Sequence, residues 1–355
     1  MGSAKASGNY NLAVAHFGSP YITVYPFSTT TGFGTKYANP STLPNVNTDG
    51  CYSVSFSPTG SDIAVTHDAS PYFSVYRFTS GSGFGAKYSD PGSPPETDVI
   101  DVKFSPSGND LIFSYFGSPA LISYAFTSGS GIGSRLVSDP SPAISNLTYT
   151  LDINPAGNVV IASQLSQFSS VTSAIIAYPF TSGTGFGTKF SDPSSPTTGQ
   201  GSLAVAFSPL GNSVALTSDT APGLQAYVWS NGFGSKYTDP STFTSAGAGS
   251  ICYSPSGNEI AVISEDSPYI HVFPFSASTG FGTKYSNPAI LPVSASISIT
   301  GIKFSPDGKS IAMATDSSPY INVWGFQTEV GFGTKFSNPS TLPTGLAFGI
   351  AFSPN

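Results

Sequence analysis

The sequence predicts an all-β fold: a seven-bladed β-propeller of four-stranded antiparallel blades, closed by pairing of the C-terminal strand with the N-terminal blade. Three observations predict it. A repeat of about 50 residues runs through the chain, each unit reads as four short strands, and the two ends are incomplete units that complement one another.

The repeat has two landmarks. The first is "FSPTG" at Phe56, "FSPSG" at Phe104, "INPAG" at Ile153, "FSPLG" at Phe207, "YSPSG" at Tyr253, "FSPDG" at Phe304 and "FSPN" at Phe352; its prolines lie 48, 49, 54, 46, 51 and 48 residues apart. That period marks a propeller or a solenoid. The second is a Gly-aromatic-Gly element with a basic residue and an Asx-Pro exit, as in "GFGTKYANP" from Gly32, "GFGAKYSDP" from Gly83 and "GFGTKYSNP" from Gly280.

Within residues 299 to 339 the strands read "ITGIKF", "IAMAT", "YINVWGF" and "FGTKFS", separated by "SPDGKS", by the turn from Asp316 to Pro319 and by "QTEVG". Runs of β-branched and aromatic residues between Pro-Gly turns make an antiparallel meander. Such a sheet is apolar on both faces and needs a neighbour on each side, which a closed ring supplies. The chain stops at "GLAFGIAFSPN", a first strand without its three successors, and starts at "SGNYNLAVAHFGSPYITVYPF", three strands without a first. The C-terminal strand is therefore expected beside "NLAVAH". Residues 8–355 are expected to form one propeller and 1–7 a short extension.

Composition narrows the partners. Only 9% of residues are charged, the net charge is -7 and the pI is near 4.7. This argues against nucleic acid, whose binding rests on Lys and Arg neutralising phosphates. No apolar run is long enough to span a bilayer, and "MGSAKASGNY" lacks the apolar stretch of a secretory signal, so a soluble chain without membrane insertion is expected. Cys51 and Cys252 occupy different slots of non-adjacent repeats, which makes a disulfide improbable.

The run from Phe304 to Phe326, with "FSPDGKSIAMAT" at its start and "SPYINVWGF" at its end, resembles the core of a WD40 repeat, although the Gly-His and Trp-Asp dipeptides of that family are absent. Residues 51 to 91 and 249 to 288 are similar, almost position by position, to WD40-like repeat proteins of tailed bacteriophages. That resemblance implies a virion-associated or extracellular propeller contacting a host surface or another virion protein. It carries over no catalytic residue.

Candidate residues fall into three groups. The recurring basic residues Lys36, Lys87, Arg135, Lys189, Lys236, Lys284 and Lys335 belong to the outermost strand, where lysine hinders pairing with another molecule's edge. Asn39, Asp90, Asp139, Asp192, Asp239, Asn287 and Asn338 precede prolines and read as turn caps. One amide or carboxylate per blade is too few for calcium. The third group lies on one face of the ring, where the turns after the second strand meet the connections between blades. From the FSP proline to the next outer-strand glycine, five complete units use 23 to 25 residues, while the fourth uses 30, from Pro155 to Gly185. Loops on a rigid scaffold are where binding resides. Gln164, Gln167 and Phe168 of this longer turn, with His16, Phe17, His67, Asp68 and Phe116 of equivalent turns, are the candidate ligand- or partner-binding set. His16 and His67, without a clustered partner, are read as solvent-touching structural residues.

No Gly-x-Ser-x-Gly elbow, HExxH, phosphate loop or sialidase box occurs. The expectation is a non-enzymatic interaction module with no catalytic residues, metal or cofactor, recognising a protein or glycan surface. A carbohydrate-binding propeller is the first alternative and a propeller hydrolase such as a lactonase the second. The lactonase reading would need an acidic and basic cluster in the axial channel.

Overall fold

The computed structural model describes residues 8–144, 146–165, 173–197, 201–243, 247–294 and 301–354. Seven sheets of four antiparallel strands are present. The first blade is composite, in the order Ala347–Phe352, Asn9–His16, Ile22–Ser28, Gly32–Phe33. The second shows the plain order, from Cys51–Phe56 through Asp62–His67 and Phe73–Thr79 to Gly83–Lys87. The innermost strands of the remaining blades are Val99–Phe104, Leu151–Ile153, Val205–Phe207, Ala248–Tyr253 and Ile302–Phe304. Each of these inner strands packs beside those of the blades before and after it, and the series closes on Ala347–Phe352. The seven blades thus surround one axis.

The closure lies where the sequence places it. Leu12 pairs with Phe352, Ala13 with Ala351 and Val14 with Ile350. All six of these positions except Ala351 and Phe352 are buried.

Apolar layers between blades hold the ring together. In the seventh blade, Phe326 meets Phe304 at 5.3 Å and Phe332 at 5.9 Å, both nearly perpendicular, and Tyr285 of the sixth blade at 5.5 Å. Edge-to-face pairs of this kind contribute about 0.5–1.5 kcal/mol each beyond their buried area. The aromatic residue of the FSP landmark, the one in the Gly-aromatic-Gly turn and the one following the lysine therefore converge on a single third-strand ring. This is why the landmarks recur together.

The outer strand joins two features that are separate in the sequence pattern. Lys189 Nζ donates to Asp192 at 2.7 Å, Lys236 to Asp239 at 2.8 Å, Arg135 to Asp139 at 2.7 Å and Lys335 to Asn338 at 2.7 Å; Lys36, Lys87 and Lys284 likewise donate to Asn39, Asp90 and Asn287. The basic residue holds the Asx that enters the proline exit. Partial burial lowers the pKa of Lys36, Lys284 and Lys335, whose partners are the uncharged asparagines. Around the rim, the amide of Gly81 donates to the hydroxyl of Tyr37 and that of Gly129 to Tyr88, both at 2.9 Å, so the tyrosines after Lys36 and Lys87 pin the next blade.

No helix among the described residues is long and apolar enough to cross a membrane. Cys51 and Cys252 are buried free thiols in the second and sixth blades, as the spacing predicts.

Candidate functional site

An inner strand borders the axis on one edge, so its outward-pointing amides need acceptors from elsewhere. Polar side chains supply them across blade boundaries. Asp101 Oδ2 accepts from the amide of Leu151 at 3.1 Å, and Asp152 Oδ2 accepts from Phe207 at 2.9 Å. Thr150 Oγ1 accepts from Val205 at 3.1 Å in the same way. Asp101 is further fixed by the Ser53 hydroxyl at 2.6 Å and the Val102 amide at 2.9 Å, both on Oδ1.

The residue preceding the landmark aromatic is Ala351, Ser55, Lys103, Asp152, Ala206, Cys252 and Lys303 around the ring. Seven equivalent positions thus carry two lysines, a carboxylate and a thiol, and the symmetry of the scaffold breaks here. Lys103 and Lys303 line both halves of the axial channel and mark its waist. On one side lies a cavity of about 680 Å³, counted to its open mouth, with a collar of Tyr52, Ile100, Tyr149, Leu203 and Phe348. The opposite half is bounded by the FSP turns, including Pro155, Pro209 and Pro255. The collar lies at the N-terminal ends of the inner strands, on the face carrying the candidate turns. There the Phe116 amide donates to Asp98 and that of Phe17 to Leu346.

The two waist lysines differ electrostatically. Burial acts to lower the pKa of Lys103, but the carboxylates of Asp101 and Asp152 outweigh it and hold it above the ordinary lysine value. Lys303 is lowered, first by the charge of Lys103 and then by burial, with the carboxylates opposing more weakly. Two cations in one narrow, low-dielectric passage repel, and this repulsion favours release of a proton from the pair. Burial pushes the Cys252 thiol up to about 11, against the pull of Lys303, so it stays protonated at neutral pH.

The sequence-predicted residues do not assemble into one site. His16 and His67 are fully buried rather than solvent-touching. His16 Nε2 is 2.8 Å from Thr23 Oγ1, while His67 pairs through Nδ1 with Ala69 O at 2.9 Å and through Nε2 with Ser74 Oγ at 3.1 Å. These bonds tie the turn to its strands, and burial lowers both pKa values to about 4. Asp68 accepts from the amides of Asn47, Thr48 and Asp49 at 2.9, 2.6 and 2.7 Å. Burial raises its pKa, yet these amides outweigh it and leave the carboxyl below its usual value. It shapes the connection between blades. Phe17 is exposed, Phe116 stacks edge-on against Tyr149 at 5.3 Å and so backs the collar, and Gln164 is buried with its backbone amide bonded to Ala174 O at 2.9 Å. Gln167 and Phe168 lie outside the described residues.

The axial lysines and aspartates are absent from the sequence-predicted set, because the landmark reads first as a turn signal. Their signal was one residue upstream: in a chain with only twelve lysines and arginines, Lys103 and Lys303 precede landmark aromatics that otherwise follow Ser, Asp, Ala or Cys.

Fold and channel define a class: a closed seven-bladed β-propeller whose polar centre combines lysines with aspartates. The sequence matches no protein-family model and no curated protein. Several solved propellers are similar along their whole length. A candidate 6-phosphogluconolactonase from Bacteroides fragilis superposes with a TM-score of 0.71 at 14% identity, covering 99% of this chain and 100% of that one. The periplasmic gluconolactonase of Pseudomonas aeruginosa gives 0.70 at 17%, covering 98% and 99%, and a candidate 6-phosphogluconolactonase from Bacteroides uniformis gives 0.66 at 15%, covering 97% and 99%. At these identities the likeness establishes the seven-bladed fold.

These findings correct the expectation of a non-enzymatic virion module. The repeat wording that resembles phage proteins encodes the packing of blade against blade. Three of the proteins with the same ring are described as lactonases or candidate lactonases, and the axial channel holds an acidic and basic cluster of Lys103, Lys303, Asp101 and Asp152.

Proposed function

We propose that the chain is a hydrolase of sugar-derived lactones, acting at the waist of the axial channel. The observation that carries this reading is the placement of Lys103 and Lys303 with Asp101 and Asp152 at the waist of the axial channel, two cations and two carboxylates lining one passage. The likeness to proteins described as lactonases supports it.

In this reading a lactone enters through the collar, where Tyr52, Tyr149 and Phe348 offer aromatic faces to the apolar face of a sugar ring. The Lys103 ammonium stabilises negative charge developing on the carbonyl oxygen. Lys303, as the free amine, takes a proton from the attacking water. The tetrahedral intermediate then breaks its ring C–O bond, and the ammonium of Lys303 returns the proton to the departing ring oxygen. The product is the open hydroxy acid, and both lysines regain their starting states.

The test is hydrolysis of glucono-δ-lactone and of its 6-phosphate, followed by proton release at pH 6.5, where spontaneous opening is slow enough to subtract. Turnover that disappears in Lys303→Met supports the reading. Absence of acceleration with both lactones overturns it for this substrate class.

A further inference from the structure

Lys303 is distinct from the other lysines in its surroundings. The rim lysines Lys36, Lys87, Lys189, Lys236, Lys284 and Lys335 each donate to an Asn or Asp three residues on. The four salt bridges among the described residues are all at that rim. Lys303 instead shares the waist of the channel with a second cation, and both halves of the channel reach it.

We propose that Lys303 captures small aldehydes or ketones as imines, with Lys103 as its acid partner. The amine lone pair attacks the carbonyl carbon, forming a C–N bond and a carbinolamine. Lys103 donates a proton to the carbinolamine hydroxyl, which leaves as water as the C=N bond forms. The proton lost from nitrogen returns to Lys103, so the sum is amine plus carbonyl giving imine plus water. Asp101, locked by Ser53, Val102 and Leu151, fixes negative charge near Lys103 and keeps that acid partner protonated. A lysine beside another cation is a recognised route to an amine nucleophile at neutral pH. Imine capture rests on the same two lysines as the proposed hydrolysis but needs only a reachable, uncharged amine.

The experiment treats the full-length protein with acetaldehyde and sodium cyanoborohydride at pH 7.5 and follows ethylation of each lysine by peptide mass spectrometry. Lys303 is expected to label severalfold faster than Lys189 and Lys236, whose amines are each paired with an aspartate, because a lowered pKa raises the free-amine fraction. Lys103→Met, which removes the repelling charge, is expected to slow labelling of Lys303 by about tenfold or more at pH 7.5. Because that variant alters an inward-facing position, the wild-type pH profile is the second measurement: a labelling midpoint for Lys303 at lower pH than that of Lys189 supports the proposal, and a midpoint at or above it overturns it. Labelling no faster than at the rim also overturns it. Selective labelling without lactone turnover would uphold this inference and remove the lactonase reading; the converse result would do the reverse.

Discussion

Asn11 and Ser353 clasp one another across 342 residues of chain: the Asn11 amide donates to Ser353 Oγ at 2.9 Å, and the Ser353 amide donates to Asn11 O at 2.8 Å. The Asn11 side chain adds a further bond to the same hydroxyl at 3.2 Å. The first and last strands therefore meet through backbone and side chain at once, and the first blade exists only when both ends are present.

Removal of residues 345–355 is accordingly expected to abolish the single cooperative unfolding transition. It strips the inner strand from the first blade and exposes Leu12, Val14 and the strand edge beside them. Thermal denaturation followed by circular dichroism checks this, with a midpoint drop well beyond about 4 °C, the shift that about 1 kcal/mol gives in large domains. An unchanged midpoint would show that the closure carries no stability.

At the waist, Lys103→Met is expected to lower kcat for lactone hydrolysis by about 10²–10³, the loss seen when one oxyanion-stabilising donor is removed. Lys303→Met should cost about 10²–10⁴, the range for a general base. Lys189→Met, at the rim, should leave kcat unchanged. Parallel steady-state kinetics of the three variants separates the axial reading from a surface one.

Acid should weaken the fold through its buried histidines. His16, His67 and His271 are buried neutral, with pKa values lowered from 6.5 to about 4 chiefly by burial. Between about pH 6.5 and 4 the unfolded chain binds protons that the folded chain refuses, so stability rises with pH across this window and is lost as pH falls through it. A shift of that size corresponds to at most about 3 kcal/mol for each histidine. Urea denaturation at pH 7 and pH 4.5 should show a lower midpoint at the acid pH, and equal midpoints would refute neutral burial.

Gly83→Ala should destabilise the rim contact between the first and second blades. Its φ of +92° lies in the left-handed region, and an added Cβ would sit 3.0 Å from Tyr37 Cδ1. The conformational cost alone is about 1–2 kcal/mol. Gly92→Ala meets nothing within 4 Å and has no positive φ, so its effect should stay within about 0.5 kcal/mol. Chemical denaturation of the pair reads the combined backbone and packing cost at Gly83.

The repeat, the strand order, the closure and the face bearing the longer turn were legible because each follows from local chemistry. Phe304, Pro306 and Gly308 mark a turn, alternating β-branched residues mark strands, and an unpartnered strand at each end demands its complement. The functional centre was legible only as a departure from that pattern. Lys103 and Lys303 stand 200 residues apart in the sequence, and nothing near either one signals the other.

Sequence by itself thus determined the architecture, since seven sheets apolar on both faces can satisfy one another only in a ring. Tertiary structure decided the site. It turned His16 and His67 inward to hold their turns, tied each rim lysine to its Asx, and brought Lys103, Lys303, Asp101 and Asp152 to one axis. The physical reason is that charge coupling depends on distance through space, and a closed ring makes neighbours of residues that the chain keeps far apart.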